Sequence, residues 1–186
     1  MAENTHKVLI GARGWQHPGW QGSFYPDDLP QSWRLAYYAN EFSMVVIREQ
    51  EWAQIEDMTV LREDCAPDFR FVVELAALAG GKISSSHINR IQQLDSQCAG
   101  LIIRADQTQQ VFADCQSLFP ETIPCYMEGK KNSLIKVCAD TSLKELRVLM
   151  ETALRLPDSP PVLMIVEGEP PDIELLRNAE TMLGLL

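Results

Sequence analysis

The sequence predicts an α/β protein built on a parallel sheet covered by helices. Three observations lead there. Short apolar runs rich in β-branched residues alternate with amphipathic helical stretches along the chain. The run Ser43-Met44-Val45-Val46-Ile47-Arg48 is continuous rather than alternating, the pattern of a strand buried on both faces. The 186 residues carry no repeat, low-complexity tract or long linker, so one domain spanning 1–186 is expected.

The elements follow in order. Lys7 to Gly11 reads as the first strand. Pro30 to Glu41 reads as a helix, with Trp33, Tyr37, Tyr38 and Phe42 at helical spacing. Ser43 to Arg48 is the second strand, and Ile55 to Cys65 a weaker helix stopped by Pro67. Phe69 to Leu75 is the third strand. Ser84 to Ser96 is a helix opened by a serine cluster that can cap it, followed by a fourth strand, Gly100 to Arg104. Thr108 to Phe119 is helical, and Thr122 to Met127 and Leu134 to Cys138 are short strands. Ser142 to Leu156 is an amphipathic helix in which Ser142 and Glu145 form a capping-box pattern. Val162 to Glu167 is the seventh strand. A last helix runs from Pro170-Pro171, with proline in its first turn, to about Leu185.

Two architectures satisfy this alternation, a closed barrel and an open doubly wound sheet. The chain has no G-x-G-x-x-G fingerprint and no Gly-Lys-Ser/Thr phosphate loop, which disfavours nucleotide-binding versions of the open sheet. The formal net charge of −10 argues against a nucleic-acid or anionic-membrane binder, both of which need a concentrated basic face. No apolar run approaches the roughly 20 residues that span a bilayer. The N-terminus lacks the basic region of a secretory signal, so a cytoplasmic location is expected. Three scattered histidines give little material for a metal site, and no cofactor is expected. The five cysteines (65, 98, 115, 125 and 138) form no C-x-x-C pair or disulfide framework and read as reduced, partly buried small hydrophobes. Whether any is reactive depends on neighbours in space.

The most specific pattern is Gly11-Ala12-Arg13-Gly14-Trp15-Gln16-His17-Pro18-Gly19-Trp20-Gln21-Gly22-Ser23-Phe24-Tyr25-Pro26, continued by Trp33, Tyr37 and Tyr38. It resembles the opening of the YecE-like family, the domain of unknown function 72. In that family a strand ends in Ser-Gly-Trp, and a Trp-x-Gly-x-Phe-Tyr-Pro loop and an aromatic helix follow. Pro67 to Val73 is similar to the family's third strand, and the C-terminal strand and helix to its last. The resemblance implies a TIM-barrel-like fold, incomplete at about seven strands, with the first and last strands adjacent and one strand-helix unit lost around residues 120–135. It implies little about activity. The sequence departs from the family pattern at Val46, Arg48, Glu74, Arg104 and Glu167-Gly168, where other residues are usual, so the family's pocket is rebuilt or lost.

In a parallel barrel the C-terminal strand ends form the functional face. They place Arg13 and Trp15, Arg48 and Glu49, Glu74, Arg104 and Asp106, Glu128 and Glu167 around one mouth. As a ligand site, Arg13, Arg48 and Arg104 would hold a small anion such as a sugar phosphate. Trp15, Trp20 and Tyr25 would stack on a ring, and Glu74 and Glu167 would act as acid and base. As a structural device, the same charges neutralise one another and the aromatics fold back to plug the barrel end. His17 reads as a hydrogen-bonding loop residue. The apolar content of the last helix exceeds one packing stripe, which suggests a homodimer contact. The expectation from these features is a degenerate, non-catalytic binding or scaffolding domain. The alternative is an enzyme or binder for a small anion at the mouth.

Overall fold

Seven strands and seven α-helices make up the computed structural model, which describes residues 7–75, 83–104, 109–120, 122–129, 133–157 and 160–186. The strands are β1 (Val8–Arg13), β2 (Met44–Ile47), β3 (Arg70–Leu75), β4 (Cys98–Ile103), β5 (Cys125–Met127), β6 (Leu134–Val137) and β7 (Val162–Val166). The helices are α1 (Arg34–Ala39), α2 (Glu49–Trp52), α3 (Thr59–Glu63), α4 (Ser85–Gln92), α5 (Gln109–Leu118), α6 (Leu143–Leu154) and α7 (Ile173–Leu185).

The sheet order is β5-β4-β3-β2-β1-β7-β6. A doubly wound sheet reverses direction part-way through its order. Here every strand neighbours its partner in sequence, β7 lies beside β1, and the order breaks only between β5 and β6. That is the sequential order of a TIM-barrel-like fold with seven strands instead of eight. The break coincides with residues 128–133, too few for the helical crossover that normally joins parallel strands.

The chain divides into two compact units, residues 1–45 with 131–186, and residues 46–130. In the first, β1 pairs in parallel with β7 from Val8↔Val162 to Ala12↔Val166, and β6 pairs with β7 from Leu134↔Leu163 to Val137↔Val166. Val8, Ile10, Ala12 and all of β7 are buried, as strands covered on both faces must be. Gly11 permits a close approach, since a Cβ there would collide with the Met44 carbonyl oxygen. Helix α6 packs on α7, and α7 on β1.

In the second unit β3 pairs with β4 and β4 with β5, all parallel, with a register shift between Phe71 and Val72. Helix α2 packs on β3 and α5 on β5. Phe71, Val72, Val73, Leu75, Leu101, Ile102 and Ile103 are fully buried.

Several local expectations change. The helix expected over Pro30–Glu41 is a 3-10 turn at Gln31–Trp33 followed by the short α1. Trp33 lies before α1 and is 64% exposed, while Tyr38 and Phe42 are buried. The helix expected over Ile55–Cys65 is shortened to α3, and α2 is an additional short helix before it. Helix α2 starts because the Glu51 carboxylate accepts from the Arg48 N–H at 2.8 Å. Helix α3 starts where Asp57 Oδ1 accepts from the Thr59 N–H at 2.9 Å. Strand β4 begins at Cys98 rather than Gly100, after a 3-10 turn at Asp95–Gln97. The last helix is capped by Asp172, whose Oδ1 accepts from the N–H groups of Glu174 and Leu175 at 2.9 and 3.1 Å. Pro170 and Pro171 therefore precede the cap instead of occupying the first turn. The capping box at Ser142 and Glu145 forms as its sequence pattern indicates.

Candidate functional site

The Gly14–Pro26 segment leaves β1 and folds back on itself. Pro18–Trp20 is a 3-10 turn, and Tyr25 N–H returns to the Trp20 carbonyl at 2.8 Å. Trp20 is 2% exposed and sits at the centre of an aromatic cluster. Its ring packs edge-on against His17, Phe24 and Tyr25 at 4.5, 5.5 and 5.9 Å, and stacks with Tyr38 at 6.0 Å. Its Nε1–H donates to the Pro171 carbonyl at 2.9 Å. Tyr25 donates its hydroxyl to the Trp15 carbonyl at 2.6 Å. Burial pushes the Tyr25 and Tyr38 hydroxyls well above the usual tyrosine range, so both stay protonated as donors. Trp15, at 3% exposed, and Tyr25, at 1%, are equally enclosed. A ring that stacks on a ligand must offer it a face. Trp15, Trp20 and Tyr25 are enclosed by protein and offer none.

The ends of β1, β6 and β7 carry one charged cluster of this unit. Arg13 Nε lies 3.3 Å from Glu167 Oε1, and Lys136 Nζ 3.5 Å from the same oxygen. Glu167 is thus the shared anion of two cations. His17 is 1% exposed and bridges two segments: Nε2 lies 2.7 Å from the Arg13 carbonyl oxygen and Nδ1 2.9 Å from Glu169 Oε1. A carbonyl only accepts, so Nε2 carries a hydrogen. The loop after β7 closes this corner, and a Cβ on Gly19 would meet the Pro170 ring at 2.9 Å. Sequence reasoning placed His17 in a hydrogen-bonding role without identifying Glu169 as its partner. The only available signal was the cluster of glutamates and prolines after the seventh strand.

The second unit holds Arg48, Glu74 and Arg104. Arg48 follows β2, and its guanidinium donates to Glu51 Oε1 through Nε at 3.2 Å and Nη2 at 3.0 Å. Glu74 is 5% exposed, and its backbone carbonyl accepts from Trp52 Nε1–H at 2.9 Å. Arg104 follows β4 and is exposed. Asp106, expected beside it, lies outside the described residues. The structure therefore brings Arg13, Trp15, Trp20, Tyr25 and Glu167 together in one unit, and Arg48, Glu74 and Arg104 belong to the other.

Two surface depressions are lined by other residues. One, of about 650 Å³, borders the loop after β6 and the first turns of α6, from Asp140 to Leu149. The other, of about 360 Å³, lies between α3 and the turn before β4. Among the described residues no group of three or more His, Cys, Asp or Glu side chains is placed to hold a metal ion. No helix among them is long and apolar enough to cross a membrane.

The family profile described as protein of unknown function DUF72 matches residues 9–122, more than half of the chain. The chain belongs to the DUF72 family. The matched region runs from β1 through α5 and contains the whole Gly14–Pro26 segment. Among solved structures, a protein from Coccidioides immitis assigned to the dihydrodipicolinate synthase family is similar to this DUF72 chain at 16% identity and a TM-score of 0.45. The alignment covers 90% of the chain and 63% of that protein, so the chain spans less than two thirds of its length. No curated protein matches the sequence.

Proposed function

We propose that this DUF72 member is a single-domain, non-catalytic binding or scaffolding protein that works in the cytoplasm and has kept its family's scaffold while turning its strand-end charges inward. The observation that carries this reading is the occupation of the strand-end cations by the protein's own carboxylates. Glu167 takes Arg13 and Lys136, and Glu51 takes Arg48 through two guanidinium nitrogens. An arginine that recognises a phosphate must give its donor fork to the ligand. At Arg48 a ligand would have to displace Glu51 from two guanidinium nitrogens, and at Arg13 it would compete with Glu167 at Nε. The enclosed rings of Trp15, Trp20 and Tyr25 support the same reading, because they stabilise the fold instead of presenting a stacking surface.

Thermal-shift titration of the full chain with inorganic phosphate and a panel of sugar phosphates tests it. The expected result is no saturable rise in Tm. A rise that saturates with concentration, and that an Arg48→Ala/Arg104→Ala double variant abolishes, would replace this reading with a small-anion site. In that case Glu74 and Glu167 become the acid and base candidates to substitute next.

A further inference from the structure

His17 stands between two acceptors. Its Nε2 lies 2.7 Å from the Arg13 carbonyl oxygen at the end of β1, and its Nδ1 lies 2.9 Å from Glu169 Oε1 on the loop after β7. A carbonyl oxygen has no hydrogen to give, so Nε2 supplies the one in the first contact. The second contact needs a hydrogen of its own, because an imidazole lone pair and a carboxylate lone pair repel at that separation. A neutral imidazole has one ring hydrogen and a carboxylate has none. The closed corner therefore binds one proton more than these two groups carry apart.

We propose that this proton operates a latch: bound between His17 and Glu169 it fastens the loop after β7 onto the Gly14–Pro26 segment, and its loss releases the start of that loop. The two sides are unequal. His17 is buried, with the Trp20 ring against it at 4.5 Å, so it is the fixed side. The Glu169 side chain is 72% exposed and can turn into water. When the proton leaves, the Arg13 carbonyl keeps the remaining ring hydrogen on Nε2, and the bare Nδ1 then faces and repels the carboxylate. Two contacts further along the loop involve no titratable group. Trp20 Nε1–H donates to the Pro171 carbonyl at 2.9 Å, and the Pro170 ring lies close over Gly19. They tether the far end, so release frees Gly168 and Glu169 and leaves Pro170 and Pro171 in place.

Among the described residues, the neighbouring charges and hydroxyls have partners of their own. Glu167, which follows β7, is engaged by Arg13 Nε and Lys136 Nζ at 3.3 and 3.5 Å, from the ends of β1 and β6. Asp172, which follows the loop, accepts from the first N–H groups of α7. The Tyr25 hydroxyl, on the same segment as His17, donates to the Trp15 carbonyl. Linkage fixes the direction of the switch. The closed form binds the extra proton, so closing strengthens as pH falls and weakens as pH rises, by at most about tenfold per pH unit for one proton.

Nitrogen-15 NMR of the full chain counts the hydrogens on the His17 ring directly. A titration from about pH 5.5 to about pH 8.5 covers the span in which histidines ordinarily change charge. It also stays above the isoelectric point of about 4.7. At the acid end both ring nitrogens should bear hydrogen, and at the alkaline end Nε2 alone. Backbone order parameters at Gly168 and Glu169 should fall in step, from about 0.85 toward about 0.6, while those of β1 stay constant. Glu169→Gln is the discriminating variant, because its amide can donate to the bare Nδ1 and close the corner without the extra proton. Its loop should stay ordered over the whole range with a single ring hydrogen on His17. A parent ring with one hydrogen at the acid end, or with two at the alkaline end, would overturn the proposal. So would parent order parameters that do not change with pH, or a Glu169→Gln loop that loosens as the parent's does.

Discussion

Glu180 shows how a single side chain couples folding to pH in this protein. It sits on α7, largely buried, and accepts from the Ser43 N–H at 3.1 Å and the Ser43 hydroxyl at 2.8 Å. Burial raises its carboxyl above the ordinary glutamate range, and the two hydrogen bonds only partly oppose the shift. Because the folded value exceeds the unfolded one, the stability linked to this proton is fully present below the unfolded value. It is lost as pH rises through the folded value. Glu180→Gln keeps an oxygen for both Ser43 donors and removes the charge. The variant's Tm should therefore exceed the parent's at pH 7, with the gap shrinking by pH 4. Thermal melts at the two pH values decide, and an equal difference at both would refute the assignment. His17 belongs to the same scale but a different class, since a hydrogen-bonded partner faces each ring nitrogen. Neither partnership was readable from sequence. Ser43 and Glu180 are separated by 137 positions, and His17 and Glu169 by 152. Local patterns report such pairs only when both members lie within one element.

At the scale of elements, the Gly14–Pro26 segment folds largely on itself, and the reason is physical. Its aromatics and glycines stand at fixed short spacings, and two of its hydrogen bonds close locally, from Tyr25 to Trp15 and from Tyr25 to Trp20. The seven strands were legible for a related reason: continuous β-branched runs have few other ways to bury themselves. Helix α2 was not, and α3 covers only part of the helix expected over Ile55–Cys65. They are four and five residues long, and capping contacts at Glu51 and Asp57 decide them more than any apolar period does. Trp20→Ala tests the structural role of the Gly14–Pro26 segment. It removes the indole that packs on four rings and the donor to the Pro171 carbonyl, and should cost about 3–5 kcal/mol, the usual range for a buried Trp-to-Ala truncation. The midpoint of urea unfolding measures this. A loss below about 1 kcal/mol would mean that the segment contributes little to the core and is free for another task.

Charge acts on the whole molecule. The formal net charge of −10 leaves acidic groups in excess after every basic one is matched, so the folded state carries self-repulsion that the expanded chain relieves. Salt has two opposing effects. It weakens pairs such as Arg177–Glu41 and Arg147–Glu151, but each is partly exposed and worth at most about 1 kcal/mol. It also screens the repulsion among the excess carboxylates, with the Debye length falling from about 30 Å at 0.01 M to about 3 Å at 1 M. The second effect is summed over the whole surface and should win, so Tm should rise as sodium chloride increases over this range. The choice of anion makes the same experiment a test of the strand-end charges. If Arg13 and Arg48 are held by Glu167 and Glu51, a trace of phosphate added at fixed ionic strength should leave Tm unchanged. A fall in Tm with sodium chloride would instead mean that the internal ion pairs outweigh the repulsion, and Arg13→Met would then lose most of that salt sensitivity.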